Sequence, residues 1–557
     1  MNFFKYFAYK FQKYPLYRTL SIIVSAAFVV LLFFLFSTQK SYAPVLTDIN
    51  PAVGEPGEII TLTGKHFGTK QTNCFVEIGG ERLTASSYIS WTDTAIRAVL
   101  PYNVADGMVY VITESGRSEA LIFANRQTTP VPVKHNSQTT IPVIEAVQKN
   151  GAAVGTLITV TGTNFGTLRG VSQVLFTAAE SDKNQERRLI RCSEFDADYQ
   201  FWSDNEVQVR IPDGAVSGNM YVQTPRGKSE GYAYTVANGP GSKTYTDMRT
   251  YSVNVSANVA EAEAEANATL TLFIPLPPST ASQHSVQILS SKPEPSLCGY
   301  MNTLVHQVTL NEASGKKLTF SHDFVISVYG IQSRIQSAQV KPYSAAVQKL
   351  YTNYLKANAL IPADDERITE LAASIVKKEK NPWLQASSLY EWLIENLRIK
   401  SELNKTDTPA LNALKTKKAD AYDYAVLYTA LLRAVGIPAV INGGILVDSD
   451  MKSRNHWWCD FYIEGIGWIP ADPALGAGLS YKAFQKQENP AQFYFGNLDA
   501  QHITFSRGWN NIKPAHINGK KVYRPKSYAL QSIWEEATAG TVKYSSYWQD
   551  AVVAGIY

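Results

Sequence analysis

Ala419-Asp420-Ala421-Tyr422-Asp423-Tyr424-Ala425, followed shortly by Leu431-Leu432-Arg433-Ala434-Val435-Gly436-Ile437-Pro438-Ala439, is the stretch that decides the fold. It reads as an apolar helix over 421–435, stopped by Gly436 and Pro438. Downstream stand Asn455-His456-Trp457-Trp458-Cys459-Asp460-Phe461-Tyr462 and Gly467-Trp468-Ile469-Pro470-Ala471-Asp472-Pro473, aromatic segments that read as strands. Upstream the apolar period is helical, with Ile368, Leu371, Ala372 and Ile375 on one face and Leu389, Trp392, Leu393 and Leu397 on another. Asp364 and Asp365 sit where an N-cap belongs. Helices followed by strands make 346–510 an α+β domain.

These motifs resemble the transglutaminase-like superfamily, which has a papain-like fold and usually carries Gly-Asp-Cys at this helix start. Here both the Gly and the Cys positions are alanine, Ala419 and Ala421. The resemblance implies His456 as the family's base, Asp472 as its orienting acid and Ala421 at the nucleophile position. In the intact family a thiolate attacks an amide or thioester carbonyl while His, held by Asp, moves the proton. A helix N-terminus also stabilises such a thiolate. Alanine has neither lone pair nor proton to give, so the resemblance implies that covalent catalysis is absent. Tyr422, Asp423 and Trp458 are the candidates for lining a ligand pocket, and neither a metal nor a cofactor is expected.

Cys459, three residues after His456, is the obvious substitute nucleophile. On a strand, however, His456 and Trp458 share one face while Trp457 and Cys459 share the other. Cys74, Cys192 and Cys298 belong to earlier segments, and nothing in the spacing of Ser401 or Ser453 recommends either. Four scattered cysteines with no Cys-x-x-Cys pair fit neither a zinc site nor a disulfide-dense scaffold.

The first half of the chain contains a duplication. Gly57-Glu58-Ile59-Ile60-Thr61-Leu62-Thr63-Gly64-Lys65-His66-Phe67-Gly68-Thr69 recurs as Gly155-Thr156-Leu157-Ile158-Thr159-Val160-Thr161-Gly162-Thr163-Asn164-Phe165-Gly166-Thr167. Trp91-Thr92-Asp93 then matches Trp202-Ser203-Asp204, and Gly116-Arg117-Ser118-Glu119 matches Gly227-Lys228-Ser229-Glu230. Two copies of one β-module follow. The pattern resembles the immunoglobulin-like IPT/TIG fold at 44–125 and 141–237. Thr128 to Thr140 reads as a Pro-containing linker. Alternating β-branched runs make 243–345 a third β-rich domain, and 511–557 is an aromatic C-terminal extension expected to pack on the α+β core.

Leu20 to Phe36 is the strongly hydrophobic run, about the ~17-residue minimum for a spanning helix. Lys5, Lys10, Lys13 and Arg18 precede it, so the expectation is a single-pass anchor with a cytoplasmic N-terminus and the bulk periplasmic or extracellular. A cleaved signal peptide, with Ser41-Tyr42-Ala43 as its cleavage region, is the alternative. A formal charge of +4 on 557 residues, with no long basic cluster after residue 18, gives no support to nucleic-acid binding.

The chain is therefore expected to be a multidomain, membrane-anchored protein: immunoglobulin-like β-sandwich modules followed by a catalytically silent transglutaminase-like core. It would bind a peptide, glycan or protein in a bacterial cell envelope. Two alternatives stand beside this: an active amidase or acyl transferase with another nucleophile, and an adhesin working through the repeated modules.

Overall fold

The computed structural model describes residues 42–557 except 69–73, 85–86, 102–103, 127–140, 170–171, 179–188, 194–197, 266–267, 513–518, 523 and 525; before 42 it describes 3–16, 19 and 23–24. The linker 128–140 lies outside the described residues. So does all of Leu20–Phe36 except Ile23 and Val24, and among the described residues no helix is long and apolar enough to cross a membrane.

Each repeated segment folds as packed, mainly antiparallel sheets with one short parallel pair, Val53–Gly54 beside Ala124 and Asn125 in the first and Ala152–Ala153 beside Val236–Ala237 in the second. In the first, Val45–Asn50, Ile59–Lys65, Ala95–Val99 and Tyr88–Trp91 pair in that order; in the second, Val143–Gln148, Leu157–Thr163, Glu206–Arg210 and Tyr199–Trp202 do the same. Period-two alternation is visible in burial: Ile60 and Leu62, like Ile158 and Val160, face the core. The repeated Trp-x-Asp anchors have a structural task. Trp91 Nε1 donates to the Phe67 carbonyl at 3.0 Å, and Trp202 Nε1 to the Gly166 carbonyl at 3.1 Å. Asp93 and Asp204 accept from the amides of Gly68 and Gly166. Those two glycines have φ of 70° and 92°, where a Cβ would be strained.

A long hairpin organises the third domain. Strand β1 (Gly241–Ala264) pairs antiparallel with β2 (Leu318–Ile335), the register shifting once between Thr246 and Arg249. Tyr251, Val253, Val255, Ala257 and Val259 alternate along β1 and are buried. The C-terminal extension does not lie simply against the α+β domain: Thr541–Trp548 and Val552–Ile556 pair with β1, and Glu535–Ala537 pairs with Thr269–Pro275. Trp534 and Val553 are buried in the core of this third domain.

In the α+β domain, helix α1 (Ala421–Ala434) is buried from Ala421 to Arg433, as an apolar helix surrounded by other elements should be. It packs beside a four-stranded antiparallel sheet of β3 (Ala439–Val447), β4 (Ser453–Ile463), β5 (Gly467–Ala471) and β6 (His502–Arg507), in the order β5-β4-β3-β6. Arg433 closes the helix end by donating to the Ala439 and Lys356 carbonyls. Asp365 is the N-cap of Glu366–Val376, accepting from Arg367 N.

Candidate functional site

Ala421 is the first residue of α1 and is buried. The helix starts there because Asp420 and Asp423 form a capping box: Asp420 accepts from Asp423 N at 2.9 Å, and Asp423 from Asp420 N at 3.3 Å. Asn404 N also donates to Asp420, and the Asn404 carboxamide to Asp423. Burial, then the neighbouring Asp420, pushes the Asp423 carboxyl up to about 6. Tyr422 meets the Trp457 ring edge-on at 5.1 Å, with the Lys526 ammonium over its own ring at 5.1 Å. Tyr422 and Asp423 are thus held in packing and capping on the Trp457 side of the sheet.

The register of the sheet sets the rest. Gly444 pairs with His456, Asn442 with Trp458, and Leu446 with His502, while Cys459 pairs with Ala471 just before Asp472. Alternation then puts His456, Trp458, His502 and Asp472 on one face. Trp457, Cys459, Phe461 and Ile463 are on the other face, in one core with α1.

On the first face, His456 Nε2 lies 2.5 Å from Asp472 Oδ2, and His502 Nε2 lies 3.1 Å from the same oxygen. His502 Nδ1 lies 2.9 Å from Asp499 Oδ1. Asp472 also caps the short helix that follows it, accepting from Leu475 N at 2.9 Å. Burial alone would raise the Asp472 carboxyl, yet His456 and His502 hold it well below the usual carboxylate range. Facing ionised carboxylates, His456 Nε2 and both nitrogens of His502 carry protons. The His502 pKa is raised to about 9 because Asp499 and Asp472 outweigh its burial. The nearest atoms of His456, Asp472 and His502 lie within 4.8 Å of one another, close enough to suggest a metal. The separations of 2.5 and 3.1 Å from Asp472 Oδ2 to the two imidazoles are those of hydrogen bonds.

Among the described residues, buried His456 Nδ1 has no hydrogen-bond partner. Both His456 and Asp472 have no solvent exposure. Cys459 is equally buried, and burial pushes its thiol up to about 12, so it is a poor thiolate source. Ser453 Oγ is committed to the Ala551 carbonyl. The sequence reading missed His502: strand pairing brings it to Asp472 from 30 residues away, and the one local hint is the Asp three positions before it.

Trp458 stacks on His456 at 6.2 Å and 22° and meets His502 edge-on at 5.1 Å. It also lines a cavity of about 760 Å³. Trp458, Asn442 and His502 contribute from the sheet, Tyr245 and Tyr329 from the long hairpin, and Asp213 from the second module. The second module is fastened there: Lys243 Nζ donates to Asp213 and, at 2.8 Å, to the Trp468 carbonyl, while Val154 bridges Gly465.

Comparison with known proteins fits this architecture. Residues 369–473 match the Transglutaminase-like superfamily, and 44–130 and 142–253 match the IPT/TIG domain. The chain thus combines immunoglobulin-like modules with a transglutaminase-like core. An uncharacterized protein of Haemophilus influenzae is 28% identical over 193 residues, 29% of this chain and 51% of its own length. A cyclomaltodextrin glucanotransferase of Paenibacillus macerans is 29% identical over 90 residues, 16% of this chain and 12% of its own. The chain therefore spans about half the length of the first relative and about an eighth of the second. Among solved structures, a candidate cysteine protease from Cytophaga hutchinsonii is 15% identical, covering 57% of this chain and 91% of its own at a TM-score of 0.34.

Proposed function

We propose that this protein is a catalytically silent transglutaminase-like binding protein of the bacterial cell envelope, carried on immunoglobulin-like modules. It is anchored through Leu20–Phe36 with its N-terminus in the cytoplasm. The observation that carries the reading is the state of His456. A general base must lie within hydrogen-bonding reach of the proton it removes. One ring nitrogen of His456 is committed to Asp472 and the other has no partner, so no thiol or hydroxyl among the described residues is placed for activation. Ala421, at the helix start where the family pattern has cysteine, supplies only a methyl group.

What remains is a domain with a polar and aromatic cavity, suited to holding a ligand without reacting with it. The hydrophobic run and the lysines before it support the anchor. The test is amide and thioester turnover by the native protein beside a His456→Ala control. The reading requires both to be silent, and turnover abolished by His456→Ala would overturn it.

A further inference from the structure

We propose that His306 and His322 form an acid-sensitive latch between the two sheets of the third domain, closed while the imidazole pair is neutral and opened when it takes up protons. The inference is independent of the binding role proposed above.

The two sheets share one core. The first contains Ser285–Lys292, β2, β1 and the C-terminal strands Thr541–Trp548 and Val552–Ile556. The second contains Leu297–Tyr300, Thr303–Thr309, Thr269–Pro275, Glu535–Ala537 and Lys520–Val522. Burial alternates along β2, which turns Phe320, His322 and Phe324 inward. His306 meets them from Thr303–Thr309 in the opposite sheet; it is 2% exposed, and His322 has no exposure. The two Nε2 atoms lie 3.1 Å apart across the sandwich. Leu270, Leu272 and Leu304 belong to the surrounding apolar core, and the His306 ring lies 5.0 Å from that of Phe320.

This geometry limits the proton count. In a hydrogen bond between two imidazoles one Nε2 donates and the other accepts, so a single proton lies between them. His322 Nδ1 lies 2.9 Å from Ser291 Oγ on the neighbouring strand, and a hydroxyl can serve either tautomer. A second proton at the pair would set two N–H groups against each other in an apolar core, with like charges in contact. Burial pushes both imidazoles down to about 4, with His306 adding to the effect at His322.

Among the described residues no carboxylate is placed to hold the charged pair. Asp323 follows His322 on β2 but faces the other side, accepting from Ser290 Oγ and from the Asn254 carboxamide, each at 2.7 Å. Glu535 shares the inward face with His306, since Leu272 pairs with both. Its oxygens are occupied by Ser546 Oγ at 2.6 Å and Trp548 Nε1 at 3.0 Å, with Arg524 at 3.8 Å. Lys292, next to Ser291, is an exposed cation, and β1 places the uncharged Val255 opposite His322.

The sign follows from these surroundings. Folded values lie below the ordinary 6.5, so the latch contributes its stability above about pH 6.5 and loses it as pH falls through about 4. His502, held between two carboxylates, keeps its proton over the same range. Acid should therefore loosen the third domain and leave the sheet around His502 in place. The C-terminal extension supplies strands to both sheets, so it is freed when they part.

The experiment is amide hydrogen exchange of the full chain in detergent at pH 6.5 and 4.5, corrected for intrinsic rates and read by peptide mapping. The double variant His306→Gln with His322→Gln is measured beside it. In the native protein, exchange across Thr269–Pro275, Thr303–Thr309 and Leu318–Ile335 should rise about tenfold or more at the lower pH, while Ala421–Ala434 stays protected. The double variant has no proton-binding group at the latch, so its exchange should be alike at both pH values. Imidazole C2-hydrogen exchange of the native protein, read on the same peptides, decides the question even if the double variant does not fold. Both histidines should stay neutral to below pH 6 and take up protons together with the rise in amide exchange. Acid-insensitive exchange in the native third domain, a full acid response in the folded double variant, or titration of either histidine near 6.5 in the folded chain would overturn the proposal.

Discussion

Asp472 Oδ2 and His502 Nε2 lie 3.1 Å apart, and both side chains have no exposure to solvent. A buried imidazolium between Asp472 and Asp499 is the charge balance at the centre of this domain, and it makes folding depend on pH in a defined direction.

The His502 pKa stands at about 9, above its ordinary 6.5. A raised folded value means stability fully present below about pH 6.5 and lost as pH rises through about 9. A shift of this size corresponds to on the order of 3 kcal/mol. The melting temperature of the native protein should therefore fall between pH 6.5 and 9.5, and His502→Gln should lose that part of the slope. Calorimetric scans across this range check it; parallel pH profiles for the two proteins would contradict it.

Cys459 is buried with its thiol pushed up to about 12, whereas Cys298 is exposed. Iodoacetamide at pH 8 should label Cys298 in the folded protein and spare Cys459 until denaturant is added. Peptide mapping by mass spectrometry reads both positions. Rapid native-state labelling of Cys459 would show an accessible thiolate where the structure has none.

Asp213→Ala leaves the Lys243 ammonium buried without its carboxylate, a change expected to cost about 3–5 kcal/mol. Hydrogen exchange should accelerate around Val154 and Gly465, where the second module meets the core. The double variant Asp213→Leu with Lys243→Met should recover most of the stability. Unchanged exchange in Asp213→Ala would mean that the module is held by other contacts.

Much of this architecture was legible in the chain because the informative signals are local. The Phe-Gly turns and Trp-x-Asp anchors of the two modules repeat in order along the chain, and the apolar run from Ala421 to Val435, stopped by Gly436 and Pro438, announces its helix. His456 and Asp472 could be paired because both stand in one family motif. His502, Gln283 and the C-terminal strands could not be placed, since each acts through a pairing between distant segments: Leu446 with His502, Gln283 with Thr504, and β1 with Thr541–Trp548. The cavity is hidden for the same reason, being assembled from three separate parts of the chain. Trp458 reaches it, while Tyr422 and Asp423, named from the same motif, are occupied on the other side of the sheet.

The most direct test of the central claim is amide-bond and thioester turnover by the purified native protein on glutamine-containing and envelope-peptide substrates, with His456→Ala beside it. The account predicts no turnover by either protein above the uncatalysed rate. Turnover by the native protein that disappears in His456→Ala would show that His456 activates a nucleophile after all, and would contradict it.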